Sequence, residues 1–333
     1  MYMQEKLIDR PPCKRRYGDR SDGWRVVSAD PFFAVVPHIM NMRCDAQVYF
    51  DQVVEIGELE RFIRNLRRTT GMTELSLMHV VLAACVRMFA QYPCVNRFVC
   101  GRRIYARNEI VFCFTIKKDM TLDAPEAIVK VAFDPTDTLQ EVYDKISGAV
   151  TANKGSDAQN DTDAFANLLS YCPNWLVRAV VGAANFLDHC GILPSAVRAF
   201  SPFHCSMFLT DIGSTGIGSV YHHLYNFGTC SIFCALGKKG RVLKQNDDGQ
   251  IVYTKTVNLR FTVDERVTDG FYYAYTFREF LKLLRKPDEL LNKPDAPRMD
   301  PGLRKTRKER RAARKQQALA AESAGAESSA TVG

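Results

Sequence analysis

None of the apolar stretches in these 333 residues is long enough to cross a bilayer. The longest, Leu176 to Leu187, is interrupted by Arg178 and closed by Asp188, well short of the roughly 20 residues that a spanning helix needs. No membrane partner is expected, and a core or interface helix is the reading left for this stretch. The 11 cysteines are an odd number with no C-x-x-C spacing, which argues against a disulfide framework and against a zinc finger. Met1 to Lys6 shows no apolar signal core. Reduced thiols, a cytoplasmic location and no bound metal are the expectation. Cys230 and Cys234 fall in an apolar run, where free cysteine acts as a small hydrophobe. The glycine-rich turn Gly213 to Gly218 lacks the strand-GxGxxG-helix setting of a dinucleotide site, so that class is set aside.

A basic folded body is missing as well. The net charge is +8, but Arg304 to Lys315 alone holds eight basic residues and one acid, leaving +1 for everything else. Nucleic acid is therefore expected to touch, if anything, only this tail. With 46% hydrophobic residues the chain can bury a sizeable core, and nothing divides it in two.

Residues 1–30 mix Pro11, Pro12, the cluster Lys14-Arg15-Arg16 and a polar stretch, and are expected to form an arm over the surface with Trp24 as its anchor. The foldable body runs over 31–293. Alternation from Gln47 to Ile56 predicts a strand, and Leu59, Phe62, Ile63 and Leu66 set a helical period over Glu58 to Thr69. Ser76 to Gln91 is apolar almost all round and predicts a buried helix. His79 there, and His38 further upstream, are read as core. Ile110 to Ile116 and Ala127 to Phe133 read as strands, and Thr138 with Glu141 makes a capping box for a helix to about Asn153. Lys154 to Asp163 has loop composition. A helical insert over 164–200, carrying Trp175, Val180, Val181 and Phe186, is too apolar for solvent and is expected to pack on the body or on a neighbouring subunit. Strands are predicted at Ser206 to Asp211, Thr229 to Leu236 and Val252 to Val263, with a last helix from Asp269 or Gly270. From 294 to 333 the apolar content collapses, which predicts a disordered basic tail.

Between the last predicted strand and helix lies Asp264-Glu265-Arg266-Val267-Thr268-Asp269-Gly270-Phe271. It resembles the HxxxDG signature of chloramphenicol acetyltransferase and of the catalytic domain of the dihydrolipoamide acyltransferases of 2-oxoacid dehydrogenase complexes, with Glu265 where those families have the catalytic histidine. Further segments resemble the same domain in the same order. Leu75 to Asn96 is similar to its helix ending in Pro-x-x-Asn, and Phe208 to Gly213 to its Thr-Ile-Ser-Asn-Leu-Gly strand. Cys230 to Gly237 is similar to the strand that follows, and Arg285 to Leu290 to its closing Asn-Pro-Glu turn. Together they span about 30 to 292. No lipoyl or subunit-binding segment precedes them, so a stand-alone enzyme is expected. The resemblance implies an α/β two-layer sandwich with a mixed sheet flanked by helices, and a homotrimer with active sites in the channels between subunits. It also implies acyl transfer from acyl-coenzyme A, as co-substrate, to a small-molecule acceptor, with no resident cofactor.

Such transfer needs a base for the acceptor's proton and a donor for the oxyanion. By resemblance Glu265 is the base, Thr210 of a neighbouring chain the donor in place of serine, and Asp269 the loop organiser held by an arginine. Gly270 would permit the turn, and Arg266 and Gly213 complete the loop and strand. Each residue has a second reading. Glu265 could be locked against Arg266, Thr210 could be a β-branched strand residue, and Asp269 could be a helix N-cap. A carboxylate is a weaker base than imidazole unless burial raises it, so His222, His223 and His204 are held as substitute bases. The rival function is a catalytically silent oligomer that binds an acyl thioester or serves as a scaffold.

Overall fold

The computed structural model describes residues 17–27, 31–117, 126–155, 171–245 and 248–303. Its elements in chain order are β1 (Gly23–Arg25), α1 (Pro31–Ile39), β2 (Gln47–Glu55), α2 (Gly57–Thr69), α3 (Leu77–Gln91), β3 (Arg97–Cys100), β4 (Arg103–Arg107), β5 (Ile110–Lys117) and β6 (Glu126–Phe133). They continue with α4 (Leu139–Gly155), α5 (Asn174–His189), α6 (Ser195–Phe200), β7 (Met207–Asp211), β8 (Ile232–Gln245), β9 (Ile251–Asp264) and α7 (Gly270–Arg285). Six strands form one mixed sheet in the order β2-β9-β8-β7-β5-β6. The β5–β7 and β7–β8 pairs are parallel and the others antiparallel.

The patterns that predicted these elements also say which way they face. β2 alternates, with Phe50 and Val54 packed into the core and Tyr49, Asp51 and Val53 exposed. On α7, Tyr273, Phe277, Phe280 and Leu284 recur at four, three and four residues and are all buried, one apolar stripe laid on the sheet. Each such side chain contributes about 1.5–3 kcal/mol by leaving water. α3, buried on nearly every side, lies between α2, α4 and α7. The expected mixed sheet flanked by helices is present. Its other face carries a smaller cluster of Val111, Cys113, Phe208 and Phe233, covered by Cys205, Leu224 and Cys230.

At the start of α3, Ser76 donates its backbone N–H to His79 Nδ1 at 3.1 Å, and its hydroxyl lies 2.7 Å from the same nitrogen. A ring nitrogen that accepts must be unprotonated. Burial, with Arg67 nearby, pushes this imidazole down from 6.5 to about 4. The unfolded chain then binds the extra proton between those values, so stability must fall as pH drops through them, by up to about 3 kcal/mol. Urea midpoints measured from pH 7.5 down to 4.5 are expected to fall steeply in the wild type and to flatten in His79→Gln.

Several expectations need correction. Residues 17–27 are no surface arm: Gly23–Arg25 is the edge strand of a second sheet, β1-β4-β3, of which only a strand following Asn96 was implied by the resemblance. The tail does not begin at 294. Arg97 grips Asp300 with bonds of 2.6 and 2.7 Å, and Leu303 bridges to Val26. His38 is exposed, not core. β8 continues to Gln245, past a register shift between Leu236 and Lys239, as a ribbon paired with β9. α5 is largely exposed instead of packed on the body. Residues 1–16, 156–170 and 304–333, which hold the start of the arm, most of the expected loop, the start of the insert and the basic run, lie outside the described residues.

Candidate active site

β9 ends on Asp264, whose carboxylate is fully buried. Arg266 Nε and Nη2 reach its two oxygens at 2.8 and 2.7 Å, and Arg43 Nε lies 3.5 Å away. The guanidiniums are tied down in turn. Arg266 donates to Met40 O, and Arg43 to the carbonyls of Tyr225 and Val99. Burial and the neighbouring Arg266 pull Arg43 down from its ordinary value while Asp264 holds it up. Tyr273 on α7 donates its hydroxyl to Asp264 O at 3.0 Å. The turn leaving the sheet is thus fixed from four segments of the chain.

Glu265 sits on this turn with its side chain outward and exposed. Its backbone N–H bonds Ala46 O at 2.9 Å, and its carboxylate has no hydrogen bond or ion pair among the described residues. Arg266 does not hold it, because Arg266 is spent on Asp264. Asp269 is exposed and accepts from Tyr272 N at 2.8 Å as N-cap of α7. Among the described residues no arginine grips it; the arginine-held aspartate of this loop is Asp264. Gly270 opens α7 where an added Cβ would meet nothing within 4 Å and without a positive φ, so nothing there demands glycine.

Thr210 lies on β7, half-buried, with its hydroxyl 3.4 Å from that of Thr115. It is level with Ala235 on β8, and Ala235 with Arg260 on β9. Glu265 is five residues further along β9 and two strands across, roughly 15–20 Å away at ordinary strand spacings. One chain does not bring the two together. After Thr210 the chain turns through Gly213, where a Cβ would lie 2.4 Å from Gly237 O, so only glycine lets the turn approach β8. This turn, β8, α2 from Glu60 to Arg67 and the start of α3 line a cleft of about 670 Å³. Four cations line it, Arg64, Arg67, Lys238 and Lys239, with the acids Glu60 and Asp211. Lys239 and Lys255 bind Glu60 and hold it down at about 2. Burial raises Asp211 while the N–H groups of Ser214 and Gly213 oppose the shift.

The three histidines part company. His204 is buried, its Nδ1 2.7 Å from Ser201 Oγ and its Nε2 3.4 Å from Asp188. Burial pushes its pKa down against that partner, and it faces no open surface. His222 stacks on Phe233 at 3.9 Å. His223 is exposed and precedes Leu224, whose N–H bonds Gln47 Oε1 at 2.6 Å. Since Glu265 is fastened to Ala46 and the histidine segment to Gln47, the structure places both at one end of the sheet. The sequence had no signal for the Arg43–Asp264–Arg266 cluster beyond the aspartate's position next to the signature.

No protein-family model matches the chain and no curated protein is similar to it in sequence. Solved structures do match. A dihydrolipoamide acetyltransferase of Azotobacter vinelandii, studied for the role of a serine, a histidine and an asparagine in its catalytic mechanism, is 14% identical with a TM-score of 0.50, covering 78% of this chain and 88% of that one. A truncated catalytic core of the 2-oxoacid dehydrogenase complex from Thermoplasma acidophilum is 12% identical, with a TM-score of 0.48 over 79% and 99%. A chloramphenicol acetyltransferase is 11% identical, with a TM-score of 0.45 over 74% and 92%. The chain has the chloramphenicol acetyltransferase-like fold.

Proposed function

We propose that the chain transfers an acyl group from coenzyme A to a small acceptor, in sites shared between the subunits of a homotrimer. The observation that carries this reading is Glu265: an exposed carboxylate with no hydrogen bond or ion pair among the described residues, at the histidine position of the resembled signature, on a turn braced by the buried Asp264 cluster and by its own N–H to Ala46 O. In the Azotobacter vinelandii enzyme the histidine and asparagine studied for catalysis are four residues apart, the spacing of Glu265 and Asp269 here, which supports the placement of Glu265 as base.

The step balances on this chain's residues. The acceptor's oxygen, nitrogen or sulfur attacks the thioester carbonyl while its proton passes to the Glu265 carboxylate. The Thr210 hydroxyl of a neighbouring subunit donates to the oxyanion that forms. Collapse breaks the carbon–sulfur bond, and the departing thiolate takes the proton back from Glu265. The cleft beginning at Asp211, beside Thr210, carries Arg67 and Lys238, the two lining cations not engaged with Glu60, for the coenzyme's phosphates. His223, at the Glu265 end, is the second group able to exchange a proton there.

Purified protein given a panel of acyl-coenzyme A donors and a pool of hydroxyl, amine and thiol acceptors is expected to release free thiol only when an acceptor is present. Absence of release from any donor, in a correctly assembled oligomer, would favour the silent scaffold.

A further inference from the structure

Tyr221 to Tyr225 carries the chain's one pair of adjacent histidines. In a regular extended strand, neighbouring side chains point to opposite faces. Here they do not: the ring centroids of His222 and His223 lie 4.9 Å apart, with planes 30° from parallel. Each ring is oriented by what it touches. His222 lies flat on Phe233 of β8, with centroids 3.9 Å apart and planes within 2°. His223 meets the ring of Tyr225 at 4.8 Å, and Tyr225 meets Phe203 at 4.6 Å. The backbone behind the pair is pinned where the Leu224 N–H bonds Gln47 Oε1.

The hydrogen bonds decide which nitrogens stay open. His222 Nδ1 lies 3.0 Å from His223 O, and His223 Nδ1 lies 3.4 Å from Leu224 O. A carbonyl oxygen only accepts, so in the neutral rings both Nδ1 atoms hold the proton and both Nε2 atoms present a lone pair. Neither Nε2 has a hydrogen bond among the described residues. His222 is half-buried and His223 exposed, so the pair can be approached from solvent.

An imidazole with one nitrogen donating to a carbonyl and the other free is oriented as metal-binding histidines are. An ion bound through Nε2 at about 2.0–2.1 Å stands roughly 3.2 Å from each ring centroid, and at a coordination angle of about 100° the two centroids fall about 5 Å apart. The observed separation is 4.9 Å. Imidazole nitrogen suits zinc, nickel and copper, whereas magnesium and calcium take oxygen. Among the described residues no group of three or more His, Cys, Asp and Glu side chains is placed to hold a metal, so this is a two-ligand site. The argument against a zinc finger concerned cysteine spacing and does not bear on this donor set.

We propose that His222 and His223 form a surface site for a late first-row divalent ion, Zn²⁺, Ni²⁺ or Cu²⁺, held through the two Nε2 atoms with water in the open positions. The inference does not depend on the acyl-transfer reading.

The test titrates the reduced full chain, stripped of metal by a chelator, with Ni²⁺ and then Zn²⁺ by calorimetry, with Mg²⁺ as the hard-cation control. Saturable binding of one Ni²⁺ or Zn²⁺ per chain is expected, and no Mg²⁺ binding. His223→Gln should weaken it roughly tenfold or more, and His38→Gln, at an exposed histidine on α1, should leave it unchanged. His222→Gln should weaken it as much but also removes the stack on Phe233, so His223→Gln is the decisive variant, with circular dichroism to show the fold intact. Absence of saturable binding in the wild type, affinity retained in His223→Gln, which would place the ion on the thiols, or equal binding of Mg²⁺ would each overturn the proposal.

Discussion

Asp264→Ala is expected to cost about 3–5 kcal/mol of unfolding free energy, because it strands two buried guanidinium groups that pair with no other carboxylate among the described residues. Arg266 and Arg43 are 2% and 4% exposed on their side chains, and Asp264 is 0% exposed. Neither arginine can swing out to water without releasing the carbonyls of Met40, Tyr225 and Val99 that it also binds. Asp264→Asn keeps the shape and one acceptor, and should fall between wild type and alanine. A urea titration at neutral pH decides the point. A loss under about 1 kcal/mol, the scale of an exposed pair, would mean that the arginines find other partners.

Glu265→Gln should do the opposite, leaving stability within about 0.5 kcal/mol and abolishing turnover. The side chain is exposed and unpaired, so its amide isostere disturbs no contact. What it removes is the proton acceptor, a loss of roughly 10²–10⁴-fold when a general base goes. The effect belongs in kcat, since uncharged acceptors lose no binding partner. A variant that transfers acyl groups at the wild-type rate would remove Glu265 from the chemistry and turn attention to His223.

Sequence patterning reached the elements whose neighbours in space are set by periodicity. The stripe on α7, the all-round apolar α3, and the capping box in which Glu141 Oε2 accepts from Thr138 N at 2.7 Å are local signals. β1 and β4 escaped, and β3 carried no pattern of its own beyond the resemblance, because all three are short and rich in arginine. Two of those arginines find partners far along the chain: Arg97 in Asp300 and Arg107, through Nη2, in Thr229 O at 2.9 Å. The same limit applied at the site. Glu265 and Thr210 are candidates drawn from the order of segments, whereas the buried pairing of Asp264 depends on Arg43, near the other end of the chain, and no spacing rule reaches that far. For α5 the sequence left two covers open, the body or a neighbouring subunit, and the exposure of the helix in the single chain removes the first.

The separation of Glu265 from Thr210 within one chain makes subunit complementation the most direct measurement. Glu265→Gln and Thr210→Val chains, each expected to be inactive alone, are unfolded, mixed equally and reassembled. With the site shared between subunits, roughly one quarter of the interfaces regain an intact pair, and acyl transfer from coenzyme A should return to about that fraction of the wild-type rate. Recovery of nothing from a mixture that has reassembled into trimers, beside an active wild type, would contradict the shared site and with it the assignment of these two residues.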